Sequence, residues 1–318
     1  MIENVIKPKM LQKGDRIGII SPASRPSDLD KLERGMEYLR QMGFIPVPGK
    51  HISEQRGYLA GEDSSRLADL NDMFESDDIN AIICSRGGYG APRILDQLNF
   101  DTIARNPKIF IGYSDITILG LGIFSQTNMV TFSGPMVAVE MGTGINPFTE
   151  TSLWDQISAQ RDGHILRNPQ DQELQVLKDG SAEGRLVVGC LSVMMGLFGS
   201  KYMPDLDDTI LVIEDIDEDP YRIDRYFSQM RLAGVFDKIN GLVLGQFIDC
   251  HPGDETKPTL LLEDVIWDYV KDLNIPIIKN FAYGHGEVKH TLPVGVKARV
   301  NTSADQIEIL ESVLSNKS

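Results

Sequence analysis

One serine of the chain has the local setting of a nucleophile. Ser114 follows the apolar run Ile109 to Gly112 and precedes a helical pattern that continues to about Gln126. A turn from strand to helix exposes a side chain at the carboxyl edge of a sheet and places backbone N–H groups beside it. A serine nucleophile needs both features, because its Oγ must be reached and an oxyanion develops after attack. The other interpretation is that Ser114 only caps the helix, since serine is a favoured N-cap residue.

A glycine-rich segment, Ser85-Arg-Gly-Gly-Tyr-Gly90, follows the predicted strand Asn80 to Cys84. Three interpretations stay open: a tight turn, a phosphate-binding loop, or a loop whose backbone N–H groups stabilise an oxyanion. The spacing is neither Gly-x-Gly-x-x-Gly nor the Gly-Lys-Ser/Thr of a P-loop, which weakens the phosphate interpretation.

A serine nucleophile requires a base, and the chain has five histidines. His285 lies between two glycines, after the predicted strand Ile275 to Ile278, where the backbone is free to present an imidazole. His290 follows His285 by five residues, so the two histidines do not have the i, i+4 spacing of a zinc-binding His-Glu-x-x-His helix. We expect the other three at the surface: His51, His164 and His251.

The imidazole in turn needs a carboxylate that fixes its tautomer and stabilises its charged form. The predicted strand Thr209 to Ile213 is followed by Glu214 and Asp215. Sites of α/β proteins form at the carboxyl ends of strands, so either carboxylate is a candidate partner. Because successive strand side chains point to opposite sides, only one of the two can face the site.

The elements that carry these residues alternate between strand and helix in the first half of the chain. Arg16 to Ile20 and Phe44 to Val47 are predicted strands. Ser27 is predicted to cap the helix between them, Gly43 to end it, and Ser64 or Ser65 to open the next helix. Strands that are apolar on both sides indicate a mainly parallel sheet with helices on both faces.

The pattern weakens between about residues 142 and 180 and then resumes. We therefore predict an N-terminal α/β domain over residues 1–141, an interdomain segment over 142–180, and a C-terminal domain over 181–318. In the last part, Val294 to Val300 and Ile307 to Leu310 alternate and are predicted to form an antiparallel pair. The remaining predicted strands are Leu186 to Val188 and Leu242 to Leu244, and the predicted helices are Leu191 to Phe198, Pro220 to Leu232 and Leu260 to Leu273.

Composition excludes several classes of protein. The 46 acidic and 31 basic residues give a net charge of −15, which disfavours general binding to nucleic acid or to an anionic membrane. No apolar run reaches the length of a membrane span, and Met1 to Gly14 lacks the apolar region of a signal peptide. Three scattered cysteines fit neither a disulfide framework nor a zinc cage, so we expect a cytoplasmic protein.

Five ordered motifs together resemble the LD-carboxypeptidase family of serine peptidases over nearly the full chain. They are Ser85-Arg-Gly-Gly-Tyr-Gly90, Gly112-Tyr-Ser-Asp115, Val188-Gly-Cys-Leu191, Ile213-Glu-Asp-Ile216 with Pro220-Tyr-Arg-Ile-Asp-Arg225, and Gly284-His285 with Thr291-Leu-Pro-Val-Gly295. The resemblance implies an N-terminal, mainly parallel-sheet α/β domain, a C-terminal β-rich α/β domain, an active site in the cleft between them, and a homodimer.

The resemblance also implies a catalytic triad of Ser114, Glu214 and His285, with oxyanion donors at Gly88 and at the backbone N–H of Asp115. The implied reaction releases the terminal D-alanine from a cytoplasmic muropeptide tetrapeptide in cell-wall recycling, with no metal and no organic cofactor. The chain departs from the family at Cys190, where asparagine is common.

Two alternatives remain. A related enzyme is the self-immunity peptidase that inactivates peptide-nucleotide antibiotics such as microcin C. Such an enzyme is expected to offer a tryptophan near the segment before Gly189, whereas Ser181 to Val188 contains no aromatic residue and the tryptophans, Trp154 and Trp267, lie elsewhere. The second alternative is a non-catalytic protein that binds a small peptide or a nucleotide.

A substrate that ends in a free carboxylate needs a local cation in this acidic protein. Candidates are Arg86 in the glycine-rich segment and Arg222 or Arg225 after Glu214. Arg86 has an alternative structural role, bracing its own loop.

Overall fold

The computed structural model describes residues 5–159, 161–254, 256 and 258–315. Strands and helices alternate through most of this part of the chain. The strands are β1 (Arg16–Ile20), β2 (Ile45–Pro48), β3 (Ala81–Cys84), β4 (Ile109–Ile111), β5 (Thr131–Ser133), β6 (His164–Leu166), β7 (Gln175–Lys178), β8 (Ser181–Cys190), β9 (Thr209–Ile216), β10 (Gly241–Ile248), β11 (Ile277–Lys279), β12 (Leu292–Val294), β13 (Lys297–Asn301) and β14 (Gln306–Ile309). The α-helices are α1 (Leu29–Gln41), α2 (Asp63–Glu75), α3 (Phe100–Arg105), α4 (Thr117–Thr127), α5 (Pro147–Ser158), α6 (Leu191–Met194), α7 (Pro220–Leu232) and α8 (Leu262–Val270).

The first sheet has the order β12-β5-β4-β3-β1-β2. Strands β2, β1, β3, β4 and β5 pair in parallel, and helices connect them in sequence. Every residue of β3 and β4 is buried, as expected for a sheet with helices on both faces. Because β3 and β4 are parallel neighbours, the segments that follow Cys84 and Ile111 begin at the same edge of the sheet.

The second sheet has the order β6-β14-β13-β8-β9-β10-β11-β7. Its centre, β8 to β11, is parallel, and antiparallel strands flank this centre on both sides. The molecule is therefore a two-domain α/β fold with mixed sheets, and the predicted fold class is confirmed at that level.

One late strand belongs to the first sheet. Leu292–Val294 pairs antiparallel with Thr131–Ser133, and only then does the chain enter β13 of the second sheet. The predicted antiparallel pair is present as β13 with β14, but Val294 was wrongly assigned to it. Gly295, at φ +96°, separates the two strands, and a local alternating pattern does not show which sheet a strand will join.

The segment between residues 142 and 180 is more regular than its sequence indicated. It contains α5 and the strands β6 and β7, which lie at opposite edges of the second sheet. Edge strands bury less of their surface, so their hydrophobic pattern is weak. The domain boundaries at 141 and 180 stay predictions.

Two helix starts were predicted wrongly by one or two residues. Helix α1 begins at Leu29, and Asp28, not Ser27, is its cap: the Asp28 carboxylate accepts a hydrogen bond from the N–H of Asp30 at 2.8 Å. Helix α2 begins at Asp63, before Ser64 and Ser65. In α1, aspartate and serine compete on nearly equal terms as caps, which is why the sequence did not separate them. No helix in the described residues is long and apolar enough to cross a membrane.

Candidate active site

Ser114 begins a short 3₁₀ turn, Ser114–Ile116, between the end of β4 and the start of α4. Its φ of 62° lies in the left-handed region, which is costly for a residue with a side chain and is characteristic of functional turns. The residues that cap the two helical segments are Tyr113 and Ile116. The interpretation of Ser114 as a simple helix cap is therefore not supported.

The glycine-rich segment packs directly on this serine. A Cβ built on Gly87 would lie 2.8 Å from the Cβ of Ser114 and 3.0 Å from its Oγ, so only glycine fits there. The neighbouring Gly88 N–H has no hydrogen-bond partner within the described part of the chain. This arrangement leaves a backbone donor beside the serine hydroxyl, as an oxyanion site needs. The roles of Gly88 and of the Asp115 N–H as donors stay predictions.

The side chain of Asp115 has a separate task. It is buried, and its Oδ2 accepts a hydrogen bond from the backbone N–H of Ala91 at 2.8 Å. Burial raises the pKa of this carboxyl to about 6. The contact ties the end of the glycine-rich segment to the turn that carries Ser114.

Glu214 and His285 are directly hydrogen-bonded. The His285 Nδ1 lies 2.8 Å from Oε2 of Glu214, whose side chain is fully buried while the imidazole is 12% exposed. Gly284, at φ +129°, makes this approach possible, because a Cβ there would lie 2.7 Å from the same carboxylate oxygen. With Nδ1 donating to Glu214, Nε2 is left as the acceptor that a general base requires.

Asp215 points to other partners. Its carboxylate accepts hydrogen bonds from the N–H and the hydroxyl of Ser192, at 2.7 and 3.0 Å, and from the N–H of Ile216 at 3.0 Å. Burial raises its pKa to about 6. Because successive side chains of β9 point to opposite faces, the two neighbouring carboxylates contact different residues.

Side chains from both halves of the chain line one cavity of about 290 Å³. Ser114, His285, Arg86 and the glycines 87 and 88 are all part of its wall. Two charged residues of the wall were not predicted from the sequence: Asp28 and Lys31, which lie at the start of α1. Their only sequence signal was a polar helix start, which is common on any exposed helix.

The three candidate arginines lie in different places. Arg86 lines the cavity and forms no hydrogen bond or ion pair with other described residues. Arg222 and Arg225 lie on α7 and do not line it. They surround the exposed ring of Tyr221, and Arg222 lies 3.5 Å from the carboxylate of Glu218.

The other histidines have ordinary settings. His290 is buried, its Nε2 lies 2.9 Å from the carbonyl of Arg167, and its Nδ1 lies 3.2 Å from Oγ of Ser152. Burial lowers the pKa of His290 to about 4. The surface location predicted for His164 was wrong: it is half-buried in β6, and burial lowers its pKa to about 4.

A buried polar cluster beside the site was not foreseen. Tyr113 donates a hydrogen bond to Glu140, Glu140 forms an ion pair with Lys289, and the Tyr113 ring contacts the His285 ring. Cys190, at the position where the family commonly has asparagine, is buried with its Sγ 3.5 Å from Asp215. Within the described residues no group of three histidine, cysteine or acidic side chains is arranged to hold a metal ion.

Comparison with known proteins connects this geometry to a family. Residues 17–134 match the model of the LD-carboxypeptidase N-terminal domain, and residues 183–300 match that of the LD-carboxypeptidase C-terminal domain. The probable murein peptide carboxypeptidase of Bacillus subtilis is 38% identical over 310 residues, covering 97% of this chain and 95% of the relative. The microcin C7 self-immunity protein MccF of Escherichia coli is 31% identical over 337 residues, covering 96% of each chain.

Solved structures agree. The structure of MccF in complex with glutamyl sulfamoyl guanosine superposes with a TM-score of 0.89 at 28% identity, covering 98% of this chain and all of the other. The muramoyltetrapeptide carboxypeptidase from Oxalobacter formigenes gives a TM-score of 0.81 at 27% identity, covering 92% and 97% of the two chains.

Proposed function

This chain belongs to the LD-carboxypeptidase family of serine carboxypeptidases, and from that membership we propose that it removes the terminal D-alanine from muropeptide tetrapeptides. The scissile bond joins the L-centre of a diamino acid to D-alanine. The observation that carries the proposal is the buried Glu214–His285 hydrogen bond at the wall of the cavity that Ser114 also lines.

In the proposed mechanism, Oγ of Ser114 attacks the carbonyl carbon of the diamino acid while Nε2 of His285 takes the hydroxyl proton. The oxyanion that forms is stabilised by the N–H groups of Gly88 and Asp115. His285 then returns the proton to the nitrogen of D-alanine, which leaves, and the acyl-enzyme remains on Ser114. Water, deprotonated by the same imidazole, hydrolyses this ester and frees the tripeptide.

Glu214 acts on the imidazole and not on the substrate. Its buried carboxylate holds the Nδ1–H and stabilises the imidazolium that exists between the two proton transfers. In the proposal the site lies in a cleft between the two domains. This is supported by a cavity whose wall includes residues of the first half and His285 of the second.

A second candidate function follows from the similarity to MccF: cleavage of a peptide-nucleotide conjugate. The cavity wall offers little for a nucleobase, since within the described residues its aromatic side chains are Tyr113, which is buried, and the imidazole. The two tryptophans do not line it; Trp154 instead stacks on Phe44 with ring centroids 4.9 Å apart.

One assay separates these possibilities. Purified protein is given the tetrapeptide, a peptidyl-adenylate analogue, or no substrate, and free D-alanine and free nucleotide are measured. Release of D-alanine from the tetrapeptide is the expected result. Turnover of the adenylate analogue alone would replace the muropeptide proposal with the conjugate one, and no turnover of either would favour a binding protein. The cytoplasmic location, the role in cell-wall recycling and the homodimer stay predictions.

A further inference from the structure

A cluster of three buried polar side chains lies directly behind the candidate base. Tyr113 donates its hydroxyl hydrogen to Oε1 of Glu140 at 2.8 Å, and Lys289 forms an ion pair with the same carboxylate. The other carboxylate oxygen accepts the N–H of Met136 at 2.9 Å. Tyr113, Glu140 and Lys289 are each less than a tenth exposed. We refer to them as the Tyr113–Glu140–Lys289 cluster.

The cluster touches both reactive residues. Tyr113 directly precedes Ser114, and its ring meets the His285 ring at 69° with centroids 5.0 Å apart. The Lys289 ammonium lies 4.2 Å from the centroid of the same phenol ring, on the segment that also carries His285. Glu140 and Lys289 are 149 residues apart in sequence. Glu140 therefore connects the segment of the base, through Lys289, to Tyr113 beside the nucleophile.

Stability alone does not account for such a pair. Removing two charges from water costs more than most buried ion pairs recover, and apolar replacements of the same shape are often neutral or stabilising. Burial raises the pKa of Glu140, but the Lys289 ammonium outweighs this and the pKa is lowered, so the Glu140 carboxylate stays charged. The phenol is held neutral, because burial and the Glu140 charge raise the pKa of Tyr113 well above its ordinary value.

We propose that the Tyr113–Glu140–Lys289 cluster positions the His285 imidazole against Ser114 and keeps the charge behind it balanced. The three are positioning residues, since they act through His285 and Ser114 and not on the substrate. The proposal rests on the proposed function insofar as His285 is the base, but its main consequence concerns the imidazole itself and is measurable without any substrate.

The charge balance leads to opposite effects for the two halves of the pair. Lys289→Met leaves a carboxylate behind the imidazole and favours its protonated form, so its titration midpoint should rise. Glu140→Gln leaves an ammonium there, and the midpoint should fall. The Tyr113 ring lies between the Lys289 ammonium and the His285 imidazole, and its two contacts place the ammonium within about 9 Å of the imidazole. At an effective dielectric of about 20 to 40, each shift should be on the order of one pH unit. Glu140→Gln combined with Lys289→Met should return the midpoint toward that of the wild type.

Other charged groups near the imidazole are unchanged in all of these variants. Glu214 faces it from β9, Glu287 lies on its own segment, and the cavity wall adds Asp28, Lys31 and Arg86. They set a common background, so only differences between variants are interpreted.

The experiment is an NMR titration of the histidine side chains in the full-length protein, with His285→Gln used to assign the His285 signal.

Tyr113→Phe, which keeps the ring and loses the hydroxyl, is included with kinetics of D-alanine release. We expect it and both single-charge variants to lower kcat about tenfold or more with KM changed less than about threefold, as for a lost transition-state alignment. A matched control is Lys7→Met, which breaks the Lys7–Glu311 ion pair of 2.8 Å, and neither residue of that pair lines the cavity. This variant should move neither the midpoint nor kcat.

The outcomes are distinguishable. Opposite shifts for Lys289→Met and Glu140→Gln support the cluster's role even if the wild type releases no D-alanine, in which case only the proposed substrate fails. Shifts in the same direction, or no shift in correctly folded variants, would overturn the role. So would variants that only melt earlier and keep the kcat of the wild type per folded molecule. If a single variant does not fold, the kcat of the charge-neutral double variant decides. A folded double variant with a low kcat supports positioning by the pair, and one with the kcat of the wild type overturns it.

Discussion

His285 and Glu214 are 71 residues apart in the chain, yet their side chains meet at 2.8 Å. The carboxylate has no solvent exposure, and its second oxygen, Oε1, has no partner within the described residues. A buried carboxylate with so few hydrogen bonds interacts strongly with a neighbouring positive charge, because little else solvates it. The pair is therefore suited to stabilise an imidazolium that exists only briefly.

From this contact we predict different effects for two neighbouring carboxylates. Glu214→Gln keeps the size and a hydrogen-bond acceptor but removes the charge, so kcat should fall strongly with little change in KM. Asp215→Asn should act on stability, because the Asp215 carboxylate accepts hydrogen bonds from Ser192 and Ile216 and does not reach His285. Steady-state kinetics and urea unfolding of both variants check this. An equal loss of kcat in the two variants would contradict the division of roles.

Ser114→Ala should abolish turnover by several orders of magnitude and leave the melting temperature nearly unchanged. Alanine keeps the Cβ that packs on Gly87 and has the same left-handed backbone to adopt as serine. The measurement is D-alanine release at high enzyme concentration, with circular dichroism for folding. Retention of more than about a tenth of the activity corresponds to only about 1.4 kcal/mol of lost transition-state stabilisation and is incompatible with a nucleophile.

The two histidines of the C-terminal segment should respond differently to substitution. His285→Ala should be almost inactive, because it removes the proposed base. His290→Gln should keep most of the activity per folded molecule, since His290 is buried against Phe148 and Phe281 and does not line the cavity. Rates for both, normalised to the folded fraction, make the comparison. The reverse ranking would move the base to His290.

Stability should depend on pH partly through His290. Burial lowers the pKa of His290 from 6.5 to about 4. Its contribution to the free energy of unfolding is therefore present above pH 6.5 and is lost as the pH falls toward 4. Asp115 and Asp215 have the opposite effect. Burial raises the pKa of each to about 6, so the folded state takes up their protons first and their contribution to the free energy of unfolding increases as the pH falls below about 6.

Relative to His290→Gln, the wild type should therefore lose about 2 kcal/mol more unfolding free energy between about pH 6.5 and pH 5. Urea denaturation at the two pH values, with Asp215→Asn as a variant of opposite sign, measures it. An identical pH slope for wild type and His290→Gln would show that folding does not lower the pKa of His290.

Substrate recognition should depend on cations of the cavity. We predict that Arg86 binds the terminal carboxylate of the substrate, since the Arg86 side chain is half-buried in the wall and unpaired among the described residues. Amidation of the tetrapeptide's terminal carboxylate should cost about 2 kcal/mol, the scale of a lost charged hydrogen bond. Arg86→Gln should reduce kcat/KM for the free carboxylate and not for the amide. Lys31→Gln tests the second cation of the wall in the same way.

The control for this prediction is Arg225→Gln, because Arg225 packs on Tyr221 and does not line the cavity. It should leave kcat/KM unchanged. A pentapeptide ending in D-Ala-D-Ala should hardly be cleaved, since its scissile bond is no longer terminal. Equal rates on tetrapeptide and pentapeptide, or a loss in Arg225→Gln equal to that in Arg86→Gln, would refute recognition of the chain end in this cavity.

Local sequence was enough to place most elements of the fold. The strand Arg16–Ile20 and the helix Pro220–Leu232 have the bounds that apolar runs, period and turn residues predicted. Strand β9 extends beyond the predicted Thr209 to Ile213, so that Glu214 and Asp215 lie inside it. The α/β class followed from their alternation. Helix α5 and the edge strands β6 and β7 were missed, because edge elements are half-exposed and their polar residues hide the period.

The sequence by itself determined which residues at or after the strands have the side-chain chemistry of a serine hydrolase, because strands, turns and side-chain types are local properties. Only the tertiary structure decided that Glu214 meets His285 while Asp215 turns to Ser192, that Leu292–Val294 completes the first sheet, and that Lys289 forms an ion pair with Glu140. These contacts join residues that are distant in the chain. They depend on how two sheets and their connecting segments pack, and no local preference of either partner specifies that packing.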